Sequence, residues 1–463
     1  MSKPANAPAK TAPLTHQIAQ FTAGMNENRL SAKAREVVRL GFTDCTAVML
    51  AGLNEPVTQV TRRVARQEAG VAESRVCLSS ERVMAPQAAL VTASAAHALD
   101  WDDYAFSNHP SAVLTPVVLA VADAVGATGG RMAAAYVAGY EVWGDLMLRE
   151  PDHLNSKGWH PTAVLGPVGA AVAAAVLMGL DEAACRNAVS LAASFAGGLM
   201  ANFGSMAKPI HAGRAAQSGI AAARYAAAGL EASPDTIENP LGLMRALSPA
   251  GAVNLSRPFE HDRKDWLIDR MALNIKKSPT VGASQRTIDG LLALRAQQPI
   301  DPNAVRELVP LVSTRHALVM LFHAPKTALE AKFSLEFVVA AAILRGKVGL
   351  AELNDAFVQS PEVQALMRKV RIETTEEIAP DYPNAAPADF VRVIMNDGTE
   401  RITEKVRRAT GHADLPLSTE QLWAKFTDCA EGASLPPALA RRLFDAMQRI
   451  DKLNSVEDIP TLP

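Results

Sequence analysis

Apolar and small residues recur at helical spacing from Leu14 to Leu273, punctuated by glycine, proline and short polar stretches, and give way after Lys276 to shorter alternating runs. Ser31 can cap a run through Val37, Val38, Leu40, Val48 and Leu50, with Gly52 as its stop. Pro86 to His97 predicts a helix, since proline suits the first turn and the rest is small and apolar. Asp181 can cap Glu182 to Ala196, ended by Gly197-Gly198, and Ala212 to Ala228 predicts another helix before Gly229. No fixed period runs through these elements, so they predict one irregular helical domain and not a solenoid.

After Lys276 the period shortens. Arg306–Val312 and Val370–Thr374 read as strands, and Phe390–Met395 and Thr399–Lys405 as a hairpin about Asn396-Asp397-Gly398. Helices are predicted between them at Val281–Arg295, Ser334–Arg345 and from Asn354–Phe357 onward. The tail from Ser418 returns to helix, at Thr419–Phe426 and Arg441–Ile450. The fold class is therefore mainly α: a large all-helical domain plus a smaller α+β domain. The tail is expected to pack back on the first domain. The boundaries are 1–275 and 406–463 for a discontinuous helical domain and 276–405 for the α+β domain.

Composition narrows the function. Of 463 residues 49% are hydrophobic but only 5% aromatic, which favours close-packed helices over a β-sandwich. With 46 basic and 48 acidic residues there is no excess positive charge, and no nucleic-acid partner is expected. Cys45, Cys77, Cys185 and Cys429 form no close pair and read as buried thiols in a reducing compartment. The first ten residues lack the apolar core of a signal peptide, so a cytoplasmic location is expected. Ala163–Leu180 carries no charge, but its glycines and alanines make it a buried helix and not a membrane span. Gly126-Ala-Thr-Gly-Gly130 matches neither nucleotide-loop pattern, and no GxSxG elbow is present.

Polar groups gather in four places. His97-Ala-Leu-Asp-Trp-Asp-Asp103, with Asn108-His109-Pro110-Ser111, sets carboxylates at the C-terminal end of a helix, where the helix dipole opposes them. Such a run is either a solvated acidic loop or an acid/base site. Gly158-Trp-His-Pro-Thr162 and Asn202–Arg214 each open a helix, and Lys276-Lys277-Ser278-Pro279 stands where the pattern changes. Helix N-termini beside two lysines and an arginine would make a receptor for carboxylates. Each residue also has a plain structural reading: a histidine before proline as a hydrogen-bonding residue, a lysine as a solvated charge. Asp100, Asp103, His109 and His160 could ligate a metal by residue type, but no local ligand pair supports it, and neither metal nor cofactor is expected.

These pieces, with Ile275-Lys276 and Glu330-Ala-Lys-Phe-Ser334, resemble the MmgE/PrpD family in order along most of the chain. The family's activities include 2-methylcitrate dehydration, cis-aconitate decarboxylation and iminodisuccinate epimerisation. The resemblance implies a helical domain with an α+β lid, a homodimer, and a site between the domains. It places Asp100, His109, His160, Lys208 and Lys276 in catalysis: His160 or Asp100 as base, His109 as acid or water-positioning group, the lysines as carboxylate clamps. Tyr104, Ser111, Asn202, Met206, His211, Arg214 and Lys277 are then substrate-binding neighbours. The implied reaction removes a proton from carbon beside a carboxylate of a small di- or tricarboxylate. Two departures weaken the decarboxylase reading: Val281 stands near where that family carries a histidine, and Phe337 where its decarboxylases carry a tyrosine. A hydro-lyase of the 2-methylcitrate dehydratase kind is preferred; an epimerase of the iminodisuccinate kind and a non-catalytic polycarboxylate binder stay open.

Overall fold

The computed structural model describes residues 12–68, 70–259, 266–382 and 384–463. The reading of the first ten residues lies outside them. Nine helices of ten or more residues are described before Leu273: Leu14–Ala23, Ala32–Ala51, Pro56–Gln67, Ala85–His97, Pro110–Val125, Gly129–Met147, Pro161–Met178, Glu182–Ala193 and Ala207–Ala227. Ser31 and Asp181 cap their helices as expected, through bonds from the backbone N–H of Ala34 and Ala184. The helix after Asp181 ends at Ala193, three residues before the expected stop. The last of the nine begins at Ala207 and not at Ala212, because Pro209 fits within its first turn, where its missing N–H is not needed. Gly126 adopts left-handed backbone (φ +66°) to end one helix and Thr128 caps the next, so the Gly126–Gly130 stretch is a helix–helix corner.

Pro161–Met178 is the one described helix long and apolar enough to cross a membrane, and 89% of it is buried within the fold. A helix apolar on all sides needs neighbours on all sides. It has them: a Cβ on Gly219 would come within 2.6 Å of the Ala171 backbone nitrogen, so the helix Ala207–Ala227 can lie this close only with glycine there. A short hairpin that the sequence pattern did not reveal, β1 (Ser74–Arg75) and β2 (Arg82–Val83), is held by Arg75. Its guanidinium binds Asp123 at 2.8 Å and the carbonyls of Val456 and Ile459, tying the hairpin to the chain's end.

The second half contains a four-stranded sheet. Strands β3 (Val305–Ser313), β4 (Glu373–Thr375), β5 (Phe390–Met395) and β6 (Glu400–Ile402) lie in the order β4-β3-β5-β6, with β3 and β4 parallel and the other pairs antiparallel. Inward and outward positions alternate along β5, as one covered face requires. The outer strands are shorter than the sequence pattern suggests; Val370 makes only an isolated bridge to Leu308. Ile288, Leu291, Leu308, Phe337 and Val391 belong to a core separate from that of the large helical bundle. Tail residues Leu422, Phe426, Leu443 and Phe444 pack in the bundle's core, on helices Thr419–Gly432 and Pro437–Met447.

Candidate active site

The site forms where several helix ends meet. His97 is the last residue of Ala85–His97, and three residues later Asp100 takes a left-handed backbone conformation (φ +52°). That geometry costs a non-glycine residue about 1 kcal/mol or more, though aspartate tolerates it better than most. It turns the Asp100 carboxylate into the interior. His109 and His160 each precede a proline-started helix, Pro110–Val125 and Pro161–Met178, and the proline keeps both out of helical backbone, His160 extended and His109 at φ −116°, ψ 73°. Lys208 sits in the first turn of Ala207–Ala227, and Lys276 follows the strand-like pairing of Asn274 with Tyr104.

The Lys208 ammonium lies 2.5 Å from Asp100 Oδ1 and 2.7 Å from His97 Nε2. Lys276 donates to the Asp100 carbonyl at 2.5 Å and to Oδ2 at 3.1 Å. Both lysines are almost wholly buried, at 3% and 1% exposure. Asp102 accepts from His97 Nδ1 at 3.0 Å, and its other oxygen lies 2.8 Å from His109 Nδ1. His109 Nε2 faces Asp100 Oδ1 at 3.9 Å, and its side chain is 16% exposed. His160 stacks over His97 with ring centroids 5.8 Å apart, and its Nδ1 meets His211 Nδ1 at 3.0 Å. Phe203 and Phe333 flank the Lys208 ammonium at 5.1 and 5.4 Å.

Burial decides the protonation states. It pushes His97 down to about 3, against the pull of Asp102, and lowers His109 in the same way. Burial and then Lys208 hold His160 well below the ordinary histidine value. All three imidazoles are therefore neutral at neutral pH. Burial opposes ionisation of Asp100, but Lys208 and Lys276 outweigh it and keep the carboxyl well below the usual range. Asp103 goes the other way: burial and then Asp44 push it well above, so the neutral acid is favoured there.

Structure adds residues to those singled out from sequence. His97 was visible in its motif, as the one titratable residue of an apolar helix, yet its grip on Lys208 could not be read from spacing. Asp102, to which the sequence reading assigned no role in the site, meets His97 through one oxygen and lies 2.8 Å from His109 Nδ1 through the other. Lys332, in the Glu330–Ser334 stretch, reaches the Ala98 carbonyl at 3.0 Å, and burial brings it down to about 8 with Asp100, Lys208 and Lys276 among its charged neighbours. A lysine between Ala331 and Phe333 was the available signal.

The expected substrate-binding residues scatter. His211 touches His160. Tyr104 turns its hydroxyl to Tyr382 at 2.9 Å, and Ser111 is fully buried with its hydroxyl 2.7 Å from that of Tyr136. Asn202, Met206, Arg214 and Lys277 are exposed; Arg214 bonds Gln217 and Lys277 lies 3.5 Å from Asp289. Val281 packs beside Phe203 and Phe333, whereas Phe337 is buried in the second core with Phe357. A cavity of about 650 Å³ lined by Trp101, Lys277, Lys347 and Lys425 lies outside the histidine cluster.

His97, His109 and His160 present ring nitrogens within 4.8 Å of one another, and His97, Asp100, Asp102 and His109 present ring nitrogens and carboxylate oxygens equally close, near enough for a metal. The Lys208 ammonium, in contact with both His97 and Asp100, already takes the lone pairs a cation would need there.

A family model described as MmgE/PrpD N-terminal domain matches residues 16–256, and one described as MmgE/PrpD C-terminal domain matches 279–451. The chain is 28% identical over 389 residues to a cis-aconitate decarboxylase of Mus musculus, covering 81% of this chain and 77% of that one. It is 29% identical over 353 residues to a Homo sapiens protein of the same description, covering 73% and 71%. An Aspergillus terreus cis-aconitate decarboxylase is 25% identical over 404 residues, covering 81% and 80%.

Proposed function

Because this chain belongs to the MmgE/PrpD family, we propose that the Asp100 cluster is its active site and that it removes a proton from carbon beside a carboxylate of a small di- or tricarboxylate, as a hydro-lyase. One observation carries the reading: a neutral imidazole at His109, still reachable, is enclosed with ammonium groups that have donors to spare. An ammonium has three N–H donors. Lys208 and Lys276 each spend two on described partners, and Lys332 one. The remaining donors suit the carboxylates of a substrate and the negative charge that grows on the enediolate.

The roles expected from sequence shift accordingly. Asp100 has both oxygens held by lysines and is a strong acid there, which makes it a poor base and a good anchor for two cations. His109 takes the role of base, a contribution of roughly 10²–10⁴-fold. His160, its ring centroid 6.2 Å from that of His109 and neutral like it, is assigned a hydrogen bond to the departing hydroxyl, which takes its proton from the imidazolium that His109 becomes. The assembly is proposed to be a homodimer, to be measured by light scattering.

The description of the relatives favours a second reading, loss of CO2 from the same class of substrate. Both pass through a carbanion beside a carboxylate: the hydro-lyase forms it by removing a proton and then expels the hydroxyl as water, whereas decarboxylation forms it by releasing CO2 and then takes up a proton. Incubating the protein in heavy water with 2-methylcitrate, citrate, cis-aconitate and iminodisuccinate, followed by NMR, separates them. Alkene formation with loss of water supports the hydro-lyase, and CO2 release overturns it in favour of decarboxylation. Deuterium exchange without net conversion indicates an epimerase. Ligand-dependent thermal stabilisation without turnover or exchange indicates a binder.

A further inference from the structure

We propose that Asp102 is a positioning residue that fixes the tautomers of two histidines at once, leaving His109 Nε2 free to act as base and His97 Nε2 free to hold Lys208. The significance for His109 depends on the function proposed above; the tautomers themselves do not.

The argument is one of donors and acceptors. Asp102 is wholly buried, and its two oxygens stand 3.0 Å from His97 Nδ1 and 2.8 Å from His109 Nδ1. The His109 Nδ1 also lies 3.1 Å from the carbonyl oxygen of Asp103, which can only accept. On the far side of His97 the ammonium of Lys208, 2.7 Å from Nε2, can only donate. Both rings must therefore carry their proton on Nδ1. A neutral histidine has one N–H, so both Nε2 atoms keep a lone pair.

An ionised carboxylate accepts from two rings simultaneously; the isosteric amide of asparagine accepts with one end and donates with the other. Asp102→Asn thus sets an N–H against one of the two Nδ1–H groups, and the expected relief is that this ring turns over, against the hold of Lys208 on His97 or of the Asp103 carbonyl on His109. If it is His109, the base is lost; if it is His97, Lys208 loses an acceptor and its ammonium is no longer fixed. The charged and titratable groups around the pair are Asp100, Lys208, Lys276 and His160, with Asp44 and Asp103 behind Asp102. Removing the Asp102 charge takes away the carboxylate that favours the His109 imidazolium, making that ring a weaker base.

The test uses the full chain labelled with ¹⁵N-histidine. Two-bond nitrogen–proton correlation spectra distinguish the tautomers, and His97→Gln and His109→Gln identify the signals. Both rings of the unaltered protein are expected as Nδ1–H, and Nε2–H at either ring would overturn the proposal without any need for a variant. In Asp102→Asn at least one ring is expected to change. Its kcat should fall by about 10²–10⁴-fold, with the acid limb of the pH profile moved to lower pH. A variant with both tautomers and the pH profile unchanged would also overturn it. Should the asparagine variant not fold, Asp102→Glu, which keeps the charge and both acceptors, is expected to retain both Nδ1–H tautomers and more activity than any neutral replacement that folds. Lack of turnover by the unaltered protein on every substrate would count against the proposed function, while the spectra would still decide the tautomers.

Discussion

Two buried ion clusters in this molecule have opposite characters. In the α+β region Arg286 binds Asp389 through two nitrogens, Nε at 3.0 Å, and gives its remaining terminal nitrogen to the carbonyls of Ala386 and Arg407 at 2.8 and 3.3 Å. One guanidinium meets one carboxylate, and its fork is satisfied in a fixed geometry. Around Asp100, by contrast, Lys208, Lys276 and Lys332 converge on the stretch from Ala98 to Asp100, and their ammonium protons outnumber their described acceptors. A saturated pair joins parts of a fold. An unsaturated one, in a place where burying charge is costly, has the character of a receptor for an anion.

Exchanging single residues can sharpen or break that contrast. The largest effect is expected from Lys208→Met, which should lower kcat/KM by about 10³-fold or more while leaving the far-ultraviolet circular dichroism unchanged; near-normal turnover would remove Lys208 from the chemistry. Arg286→Met should do the reverse. Burial already raises the Asp389 carboxyl to about 7, so without Arg286 it takes up a proton, and it and the Ala386 and Arg407 carbonyls lose their donor; the fold is expected to be destabilised by about 3 kcal/mol in urea titration, with turnover per folded molecule largely preserved.

Lys332 supplies a pH test. Its ammonium exists below about 8 and is lost above, so KM for a polycarboxylate should rise as pH increases through that value. Lys332→Arg, which stays charged, should abolish that rise even if kcat drops severalfold; an unchanged alkaline limb would dissociate Lys332 from substrate binding. At the acid end, base catalysis by neutral His109 should persist below the ordinary histidine range, because burial lowers its pKa, and fail only as pH falls through that depressed value. The smallest effect belongs to Lys277→Ala. This exposed lysine, weakly paired with Asp289, should change stability by no more than about 0.5 kcal/mol and kcat/KM by less than about twofold. A tenfold loss would return it to the site.

Much of this was legible in the chain. Caps at Ser31 and Asp181, the apolar stretch after Pro161 and the Asn396-Asp397-Gly398 turn each carry their reason within a few residues, and the structure follows them closely. Boundaries slipped where tertiary contacts compete with local pattern: the helix start at Ala207, the short outer strands, and the β1–β2 hairpin, which depends on a guanidinium gripping carbonyls more than 380 residues later. Of the site, the sequence marked the motifs but not their partners. Lys208 and His97 stand 111 positions apart, and Lys332 meets Ala98 across 234.

The sequence by itself thus determined the elements, the division between helical and mixed regions, the family, and which polar residues interrupt apolar surroundings, because those properties are set by neighbours a turn or two away. Only the tertiary structure decided which of those residues are neutral and which charged, that Asp102 joins two histidines, that Lys332 belongs with Lys208 and Lys276, and that Ser111 and Phe337 look elsewhere. Protonation and hydrogen-bond direction depend on burial and on the nearest opposite charge, and both are fixed only when distant segments come together.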